Sequence, residues 1–399
     1  MNRTLLWVLA CASSLLLAYE ASTLIGSVWR PLLANPHALQ TDFHYYDDAA
    51  RRFSSGGALY LATDDVIAGF AYPPPAIVPF LALAKVPFGL ALLVLTLGSY
   101  AVLLLAIRVW MTMLRRHGFQ ISTPVELSAM LIAVALGPSY MNAVFGQVNA
   151  FVLASAVGFF ALAPPGAGAV FAVGILLKIY PALLAGTAVW SHRSRAAVAW
   201  GLLCAAVVIA ALLPIIPWHT YADYLDVLRV RGDKTAIHLT NQSLTAFLER
   251  FFYPPVLFLN WTGEQAVAVM PAIRGANLAA ALAGLAWCWR QSQAGRHMES
   301  AAMAMALIAV IAPLGWGHTY VMVLPLVAMH LVRLPAASAG HAIGIAASVG
   351  ALMIPAGKRL GVIELLPAVL QNVVYSRYLL ATVVLMCLPV TLADSARPR

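Results

Sequence analysis

Charge is scarce in this sequence: only 10% of its 399 residues are Asp, Glu, Lys or Arg, whereas 62% are hydrophobic. A soluble globular domain carries about 25% charged residues, so the composition excludes that class. The mean hydropathy of +0.85 indicates an integral membrane protein. The net charge of +9 sits mainly in basic hinges between apolar runs, so there is no basic patch of the kind that binds nucleic acid.

Cysteine and alternating polarity are also rare. The four cysteines lie within or at the ends of apolar runs, which argues against a disulfide framework or a zinc site. A membrane β-barrel would show segments of about ten residues that alternate apolar and polar. The stretch LLCAAVVIAALL at 202–213 is instead continuously apolar. The sequence therefore predicts an all-α polytopic membrane protein, whose start is a retained first helix and not a cleaved signal peptide.

A helix that crosses the hydrocarbon core needs roughly 20 apolar residues. About twelve runs qualify, within a single domain covering residues 1–399. The predicted spans are 5–26, 72–86, 88–110, 124–139, 143–163, 167–189, 196–214, 271–290, 298–313, 318–332, 339–356 and 373–392.

The orientation follows from where Lys and Arg fall in short hinges. The hinges 190–195 and 290–297, the turn at Arg333 and the basic tail share one side, which is then the cytoplasm. The hinge RRHG at 115–118 falls outside by the same count. Either a span between 66 and 163 is miscounted, or this hinge breaks the rule.

Two long polar segments, 27–70 and 215–270, are then external. Loops held by a rigid scaffold commonly carry binding and catalytic residues, so the external face is predicted to be the working face. The Ala-rich composition favours a bacterial cytoplasmic membrane, with the site facing the periplasm.

The first external segment contains TDFHYYDDAARRFSSGG at 41–57. Thr41 or Asp42 is a helix-start signal and the Gly pair at its end a stop signal. One face of this helix is apolar, which predicts a helix lying in the membrane interface. That face holds Phe43, Tyr46, Ala50 and Phe53.

The charges of this helix fall into two groups. Asp47 and Asp48 precede Arg51 and Arg52 by four residues, the spacing at which helical ion pairs form. Asp42 has no basic residue at that spacing. It is therefore the acid that a function could use, and the alternative is that it merely caps the helix.

Four further motifs stand out against the apolar background. An intramembrane cation such as Lys178 is costly enough to indicate function, although snorkelling to the inner interface is an alternative. The aromatic residues near His318 could instead belong to an interfacial belt. The motifs are GQVN (146–149, with Gln147 and Asn149), LLKIYP (176–181), NQSL (241–244, with Asn241) and PLGWGHTY (313–320, with Trp316).

In this order and spacing, the motifs resemble glycosyltransferase family 87. The resemblance rests on Asp42 and Tyr46 in the first loop, G-x-x-L-Y at 56–60, Y-P-P, G-Q-x-N, a Lys before a Pro, N-x-S-L and W-x-H. It covers most of residues 40–325. It implies a GT-C-type transferase that uses a polyprenyl-phosphate sugar on the external face. The resemblance further implies that Asp42 is the catalytic base and that His318 lies near the reaction centre.

Such an enzyme would move a hexosyl group, mannosyl in the best-known members, to a lipid or glycan acceptor with inversion at the anomeric carbon. Lys178 and His318 are the expected phosphate ligands, with Arg51 or Arg52 if their aspartates do not hold them. The remaining expected substrate contacts are Tyr45, Tyr46, Tyr72, Gln147, Asn149, Asn241 and Trp316. The predicted topology nevertheless places Gln147 and Asn149 on the inner side.

No cofactor is expected, and the sequence shows no metal-ligand cluster. A metal-independent reaction is therefore preferred, with a divalent ion between Asp42 and Asp47 as the alternative. Two other functions fit a polytopic chain. A transporter or flippase would explain polar groups within the membrane but calls for repeat symmetry, which the two halves do not show. A polysaccharide ligase or polymerase shares the large external loops.

Overall fold

A computed structural model describes residues 2–29, 41–61, 69–189, 191–232, 236–259, 268–358 and 361–388. Regular structure in these ranges is helical, and the one β feature among them is an isolated bridge between Asn241 and Trp316. The predicted all-α fold is confirmed.

The α-helices are α1 (Asn2–Thr23), α2 (Asp42–Ser54), α3 (Ile77–Leu83), α4 (Phe88–Arg116), α5 (Thr123–Ala135), α6 (Gly137–Val144), α7 (Asn149–Ala161), α8 (Pro164–Leu177), α9 (His192–Leu212), α10 (Trp218–Gly232), α11 (Leu244–Glu249), α12 (Met270–Gln293), α13 (His297–Ile311), α14 (Leu324–Arg333), α15 (Ala339–Met353), α16 (Ala368–Tyr375) and α17 (Arg377–Cys387). A π-helical segment, Leu24–Trp29, extends α1. The 3₁₀ segments are Pro74–Ala76, Tyr180–Val189, Arg250–Phe252, Pro255–Leu259, Gly317–Val323, Leu334–Ala336 and Gly361–Leu365.

Within the described residues, four helical segments are long and apolar enough to cross a bilayer unaided, and two bent helix pairs bring that number to six. Most of the remaining apolar helices have only 10–17 residues, fewer than a straight crossing requires, whereas α12 has 24. The predicted apolar runs coincide largely with helices, but the structure does not establish twelve full-length spans. The four segments are Thr4–Gly26, Phe88–Arg116, His192–Leu212 and Gly317–Ala336.

The predicted span 72–86 is wrong. Its regular structure is a 3₁₀ turn and the seven-residue helix α3, which at 1.5 Å per residue is only about 10 Å long. Phe80 of α3 packs against the rings of Phe43 and Tyr46, at centroid distances of 6.4 Å and 4.9 Å. This run is apolar because it is buried against α2, not because it crosses lipid.

The predicted span 167–189 is two helices and not one. Helix α8 ends at Leu177, Lys178 is extended (φ −149°, ψ 135°), and a 3₁₀ helix then begins at Tyr180. Pro181 explains the break, because its ring clashes with the carbonyl four residues earlier and it has no N–H to continue the ladder. Lys178 therefore lies at a helix end inside the bundle.

The centre of the bundle is formed by α13 and α14. Every residue of Met298–Val310 and of Leu324–Val332 is buried. Peripheral helices instead expose large apolar side chains, including Leu202 on α9 and Leu278 on α12, which are 59% and 60% exposed. An apolar exterior around a packed core is the pattern expected of a bundle in lipid.

Helix α2 begins at the predicted position and extends to Ser54, and one of its predicted ion pairs is present: Arg51 Nε donates to Asp47 Oδ2 at 2.7 Å. The other prediction fails, because Arg52 donates to the carbonyl oxygens of Ala58 and Leu59. The apolar face of α2 is buried within the protein, with Phe43 0% exposed. It packs on neighbouring helices and not on lipid.

Candidate active site

A cavity of about 290 Å³ lies where α2 begins. It gathers side chains from α2, from the turn between α6 and α7, from the break after α8 and from the segment before α14. Eight of the predicted site residues line it, namely Asp42, Tyr45, Tyr46, Tyr72, Gln147, Lys178, Trp316 and His318. A ninth, Asn149, is buried directly behind Lys178 and His318.

The GQVN turn is brought to α2 by Gly146. This residue has φ +63°, a left-handed conformation that favours glycine. A Cβ atom here would stand 2.6 Å from Cβ of Phe43 and 2.9 Å from Leu92. The close approach lets the Phe43 N–H donate to the carbonyl of Phe145 at 3.1 Å. The prediction that this turn lies on the opposite side of the membrane from Asp42 is therefore wrong.

Gln147 links the acid to the lysine. Its amide nitrogen donates to Asp42 Oδ2 and, at 2.8 Å, to the Tyr46 hydroxyl. Its amide oxygen accepts from Lys178 Nζ at 3.0 Å and from the Tyr72 hydroxyl at 2.5 Å. Since lysine can only donate, this contact determines which end of the amide faces Asp42.

Lys178 is not snorkelling to an interface. It is 5% exposed, and its ammonium lies 4.9 Å from the centroid of the Tyr72 ring. Besides Gln147, it donates to Asn149 Oδ1 at 2.9 Å. The cation is thus stabilised inside the bundle by two amide oxygens and an aromatic face.

The same lysine also determines the tautomer of His318. Because Asn149 Oδ1 accepts from Lys178, the Asn149 amide nitrogen is the atom 2.8 Å from His318 Nδ1. Nδ1 must then accept, so the ring proton is on Nε2. Nε2 faces Asp42 Oδ2 at 3.8 Å, beyond direct hydrogen-bond range.

Asp42 is the member of this ring of contacts that opens to the cavity. Its side chain is 36% exposed, against 5% for that of His318. Thr41 occupies the N-cap position and its side chain makes no capping hydrogen bond. Asp42 instead accepts from a residue 105 positions away, which does not fit a role limited to capping.

Two tyrosines complete the hydrogen-bonded network. The Tyr72 hydroxyl donates to Gln147, so the Tyr46 hydroxyl donates to that of Tyr72 across 2.6 Å. Burial raises the pKa of Tyr46 well above its ordinary value, and the nearby Tyr72 and Asp42 raise it further. The Tyr46 hydroxyl therefore remains a donor, and together with the Tyr72 hydroxyl it holds Gln147 in one orientation.

The NQSL segment supports the His318 segment from behind. Gly317 N–H donates to the carbonyl of Thr240 at 2.9 Å, and Gln242 N–H to that of Gly315 at 2.8 Å. Arg250, 1% exposed, donates to the carbonyl of Asn241 at 2.8 Å. Burial lowers the pKa of Arg250 to about 10, so it remains charged at neutral pH.

Three predicted contacts are not at the cavity wall. Asn241 uses both ends of its amide within its own loop, donating to Ala236 and accepting from the Ser243 N–H. Arg51 and Arg52 are held by Asp47 and by backbone carbonyls, as described above. The prediction that these three residues contact substrate is not supported by their placement.

The structure adds lining residues that the motifs did not identify. Tyr180 stands two residues after Lys178, and its place in LLKIYP was the available signal. Tyr224 comes from α10, within the polar external segment 215–270, and no motif marked it in the sequence. Others are Phe145, Thr240 and Leu228. Among the described residues, no three His, Cys, Asp or Glu side chains are grouped closely enough to hold a metal ion.

Comparison with known proteins agrees with this geometry. Residues 70–297 match the model of glycosyltransferase family 87. A polyprenol-phosphate-mannose-dependent alpha-(1-2)-phosphatidylinositol mannoside mannosyltransferase from Mycobacterium tuberculosis (strain ATCC 25618 / H37Rv) is 26% identical over 348 residues, which cover 81% of this chain and 74% of that protein. No solved structure matches significantly. The family match extends over more than half of the chain, which is therefore a membrane protein belonging to glycosyltransferase family 87.

Proposed function

We propose that this chain is a hexosyltransferase that moves a sugar, mannose in our assignment, from a polyprenyl phosphate to the hydroxyl of a lipid or cell-envelope glycan. The curated relative uses polyprenol-phosphate mannose, which supports the donor class. One observation supports the proposal above all others: a carboxylate, Asp42, is held at the wall of a cavity by a buried amide.

Asp42 acts as the general base. It takes the proton of the acceptor hydroxyl while that oxygen bonds to the anomeric carbon and the bond from that carbon to the phosphate oxygen breaks. A single displacement inverts the configuration at that carbon. The Gln147 amide leaves one edge of the carboxylate to receive the proton, and His318 Nε2–H, 3.8 Å away, stabilises the anion.

The leaving phosphate needs positive charge or hydrogen-bond donors near its oxygens. Lys178 and His318 can supply them, since both line the cavity. Tyr45, Tyr72 and Trp316 provide aromatic faces on which a sugar ring or an isoprenoid chain can stack. Asn149 orients His318 through Nδ1 and does not itself contact substrate.

We infer that the cavity faces the exterior of a bacterial cytoplasmic membrane. The run 72–86 does not cross, so α4 starts on the same side as α2 and ends at the basic hinge 115–118 on the cytoplasmic side. Because the break at Lys178 divides one predicted span into two crossings, all later hinges return to the sides predicted from the sequence. The hinges at 115–118, 190–195 and 290–297 and the turn at Arg333 then share the inner side, and Gln147, Lys178 and His318 share the outer side with Asp42.

The test is transfer of radiolabelled sugar from a polyprenyl-phosphate hexose to a lipid acceptor pool. Asp42→Asn is expected to lower the rate by about 10²–10⁴-fold, the usual contribution of a general base. Asp48→Asn is the matched control, because Asp48 is exposed on the same helix, and it should keep wild-type activity. Undiminished transfer by Asp42→Asn would remove the assigned base. Label that crosses the bilayer without a new glycosidic bond would instead identify a flippase.

Metal removal is a second test. The proposed mechanism uses Lys178 and His318 where a divalent ion would otherwise neutralise the phosphate, so transfer should survive EDTA treatment with little change. Activity that EDTA abolishes and Mg²⁺ or Mn²⁺ restores would contradict this part of the mechanism. Asp47→Asn, measured alongside, would then show whether the ion is held beside Asp42.

A further inference from the structure

An acid that the proposed mechanism does not use lies in the first helix. Glu20 belongs to the candidate span Thr4–Gly26 and is 2% exposed. Neither of its carboxyl oxygens has a hydrogen-bond partner among the described residues. An unsatisfied buried polar group costs about 1–3 kcal/mol, and an ionisable group within the membrane generally indicates a functional site.

Glu20 lines a second cavity, of about 190 Å³, between α1, α4 and α5. This volume is more than ten times the roughly 10–15 Å³ that one water molecule needs. The wall is otherwise aliphatic except for one tyrosine, and it shares no residue with the catalytic cavity. Its lining residues are Leu17, Glu20, Ala21, Leu24, Tyr100 and Val134.

The second cavity is accessible from the lipid-facing surface. Ala21 is exposed and Leu17, Leu24 and Val134 are half-buried, so the aliphatic walls reach the outside of the bundle while the carboxyl forms the floor. The neighbouring residue Tyr19 is exposed, and the ammonium of Lys358 lies 5.5 Å from its ring centroid. A lysine keeps its ammonium group at the polar boundary of the bilayer, so its contact with Tyr19 indicates that the cavity lies just inside a membrane interface.

The Glu20 carboxyl at the bottom of the cavity determines which kind of ligand can bind there. Among the described residues that line the cavity there is no cation. An anionic headgroup would therefore find no partner there, and an ionised Glu20 no counter-charge. The uncharged acid offers one O–H donor and one carbonyl acceptor. An alcohol complements both, because a hydroxyl group donates and accepts at once. Tyr100 can provide a further hydrogen bond to the same hydroxyl.

We propose that this cavity binds the hydroxyl head of an uncharged lipid alcohol. The head pairs with the Glu20 carboxyl, and the hydrocarbon chain lies along Leu17, Leu24 and Val134. The site is separate from sugar transfer, so its failure would leave the proposed enzymatic function untouched. Helix α4 links it to the catalytic cavity, because Ser99, next to Tyr100, donates to the backbone carbonyl of Gln147 at 3.4 Å.

The experiment uses the whole protein in phosphatidylcholine nanodiscs, whose headgroups carry no hydroxyl. Dicyclohexylcarbodiimide, an apolar reagent, is used to label the protein from the lipid phase. A protonated carboxyl adds across one of its C=N bonds, and the adduct rearranges to a stable N-acylurea. Labelling is read by peptide mass spectrometry. We expect Glu20 to be labelled, and Glu299, held by Arg333 at 3.4 Å, to remain unlabelled as the internal control.

The probe is 1-hexadecanol, with hexadecane as the chain-matched control. At about ten times its dissociation constant the alcohol should occupy roughly 90% of sites and slow Glu20 labelling about tenfold, whereas hexadecane should have no effect. Tyr100→Phe should still be labelled at Glu20 but should be protected less by the alcohol.

Three results would overturn the proposal. Absence of Glu20 labelling in protein that retains its thermal transition would show that the cavity is closed to lipid. Equal protection by hexadecane would show apolar filling without recognition of a hydroxyl. Stronger protection by hexadecylamine than by the alcohol would show that the site pairs a carboxylate with a cation.

Discussion

Gln147 is the residue that organises the candidate site, because its single amide contacts the acid, the lysine and both tyrosines. Leucine at this position has similar bulk and no polar atoms. Gln147→Leu would release the Asp42 carboxylate from its fixed orientation and leave the Lys178 ammonium with one amide oxygen fewer. Misplacement of a catalytic group by about 1 Å can cost 10²-fold in rate.

We therefore expect Gln147→Leu to lower kcat of sugar transfer by about 100-fold, with a smaller effect on the donor KM. Gln371→Leu makes the same change on α16, where the side chain bonds only to nearby carbonyls, and it should leave kcat near the wild-type value. Steady-state transfer kinetics on folded, size-exclusion-purified protein would measure both. A Gln147→Leu enzyme with wild-type kcat would show that the amide does not position the base.

At this scale the sequence indicated the important residues but not their pairings. Asp42 and Lys178 were identifiable because each is a charge whose local surroundings do not account for it. The partner of Asp42 is 105 positions away, so no local spacing could predict it. The Asp48 and Arg52 pair was wrong for a related reason: backbone carbonyls after the helix end competed for the guanidinium, and their position depends on the chain beyond Gly57.

Among the structural elements, the tight turn at Gly146 brings distant segments together. Alanine in place of Gly146 would destabilise the turn by about 1–2 kcal/mol, because residues with a Cβ atom disfavour the left-handed conformation. It would also force a Cβ atom against Phe43, an overpacking cost of about 1–3 kcal/mol. Gly118 provides the comparison, because it has φ +87° but nothing within 4 Å of the added atom.

Gly146→Ala is expected to lower the thermal transition in detergent clearly more than Gly118→Ala, since only the former adds a clash to the backbone strain. It should also reduce transfer, because the turn carries Gln147 and Asn149. Scanning fluorimetry of the two variants against wild type measures the first effect. Equal shifts for both glycines would mean that Phe43 and Leu92 move aside without cost.

Helices could be predicted from the sequence where the residues that start, pattern and end them are close together in the chain. Helix α2 has a start signal, helical periodicity and a terminating glycine pair, and it was placed correctly. The run 72–86 was wrongly predicted to span the membrane, because hydropathy does not distinguish a segment buried in protein from one that crosses lipid. Pro181 could have indicated the break after α8, but a proline can also kink a continuous span, so the sequence alone leaves both outcomes open.

For the molecule as a whole, the corrected path of the chain makes a sidedness prediction. If 72–86 does not cross the membrane, the hinge at 115–118 and the exposed face of α2 should lie on opposite sides. In a background without the four native cysteines, Asp48→Cys should react with a membrane-impermeant maleimide on intact spheroplasts. His117→Cys should react only after permeabilisation.

The measurement is the labelled fraction of each variant, normalised to labelling in detergent. His117 is the sensitive position, because the count based on twelve uninterrupted runs places it outside. Labelling of His117→Cys on intact cells would restore that count and would contradict the external location of the Gln147 turn.

The ring of contacts from Asp42 through Gln147, Lys178 and Asn149 to His318 draws on four stretches of chain that are far apart in sequence. Its last member enters the bilayer only after three-quarters of the protein has been synthesised. Until the segment with His318 has been inserted, the proposed site lacks the side chain that faces Asp42, so competence for the proposed transfer is expected only once the bundle is nearly complete.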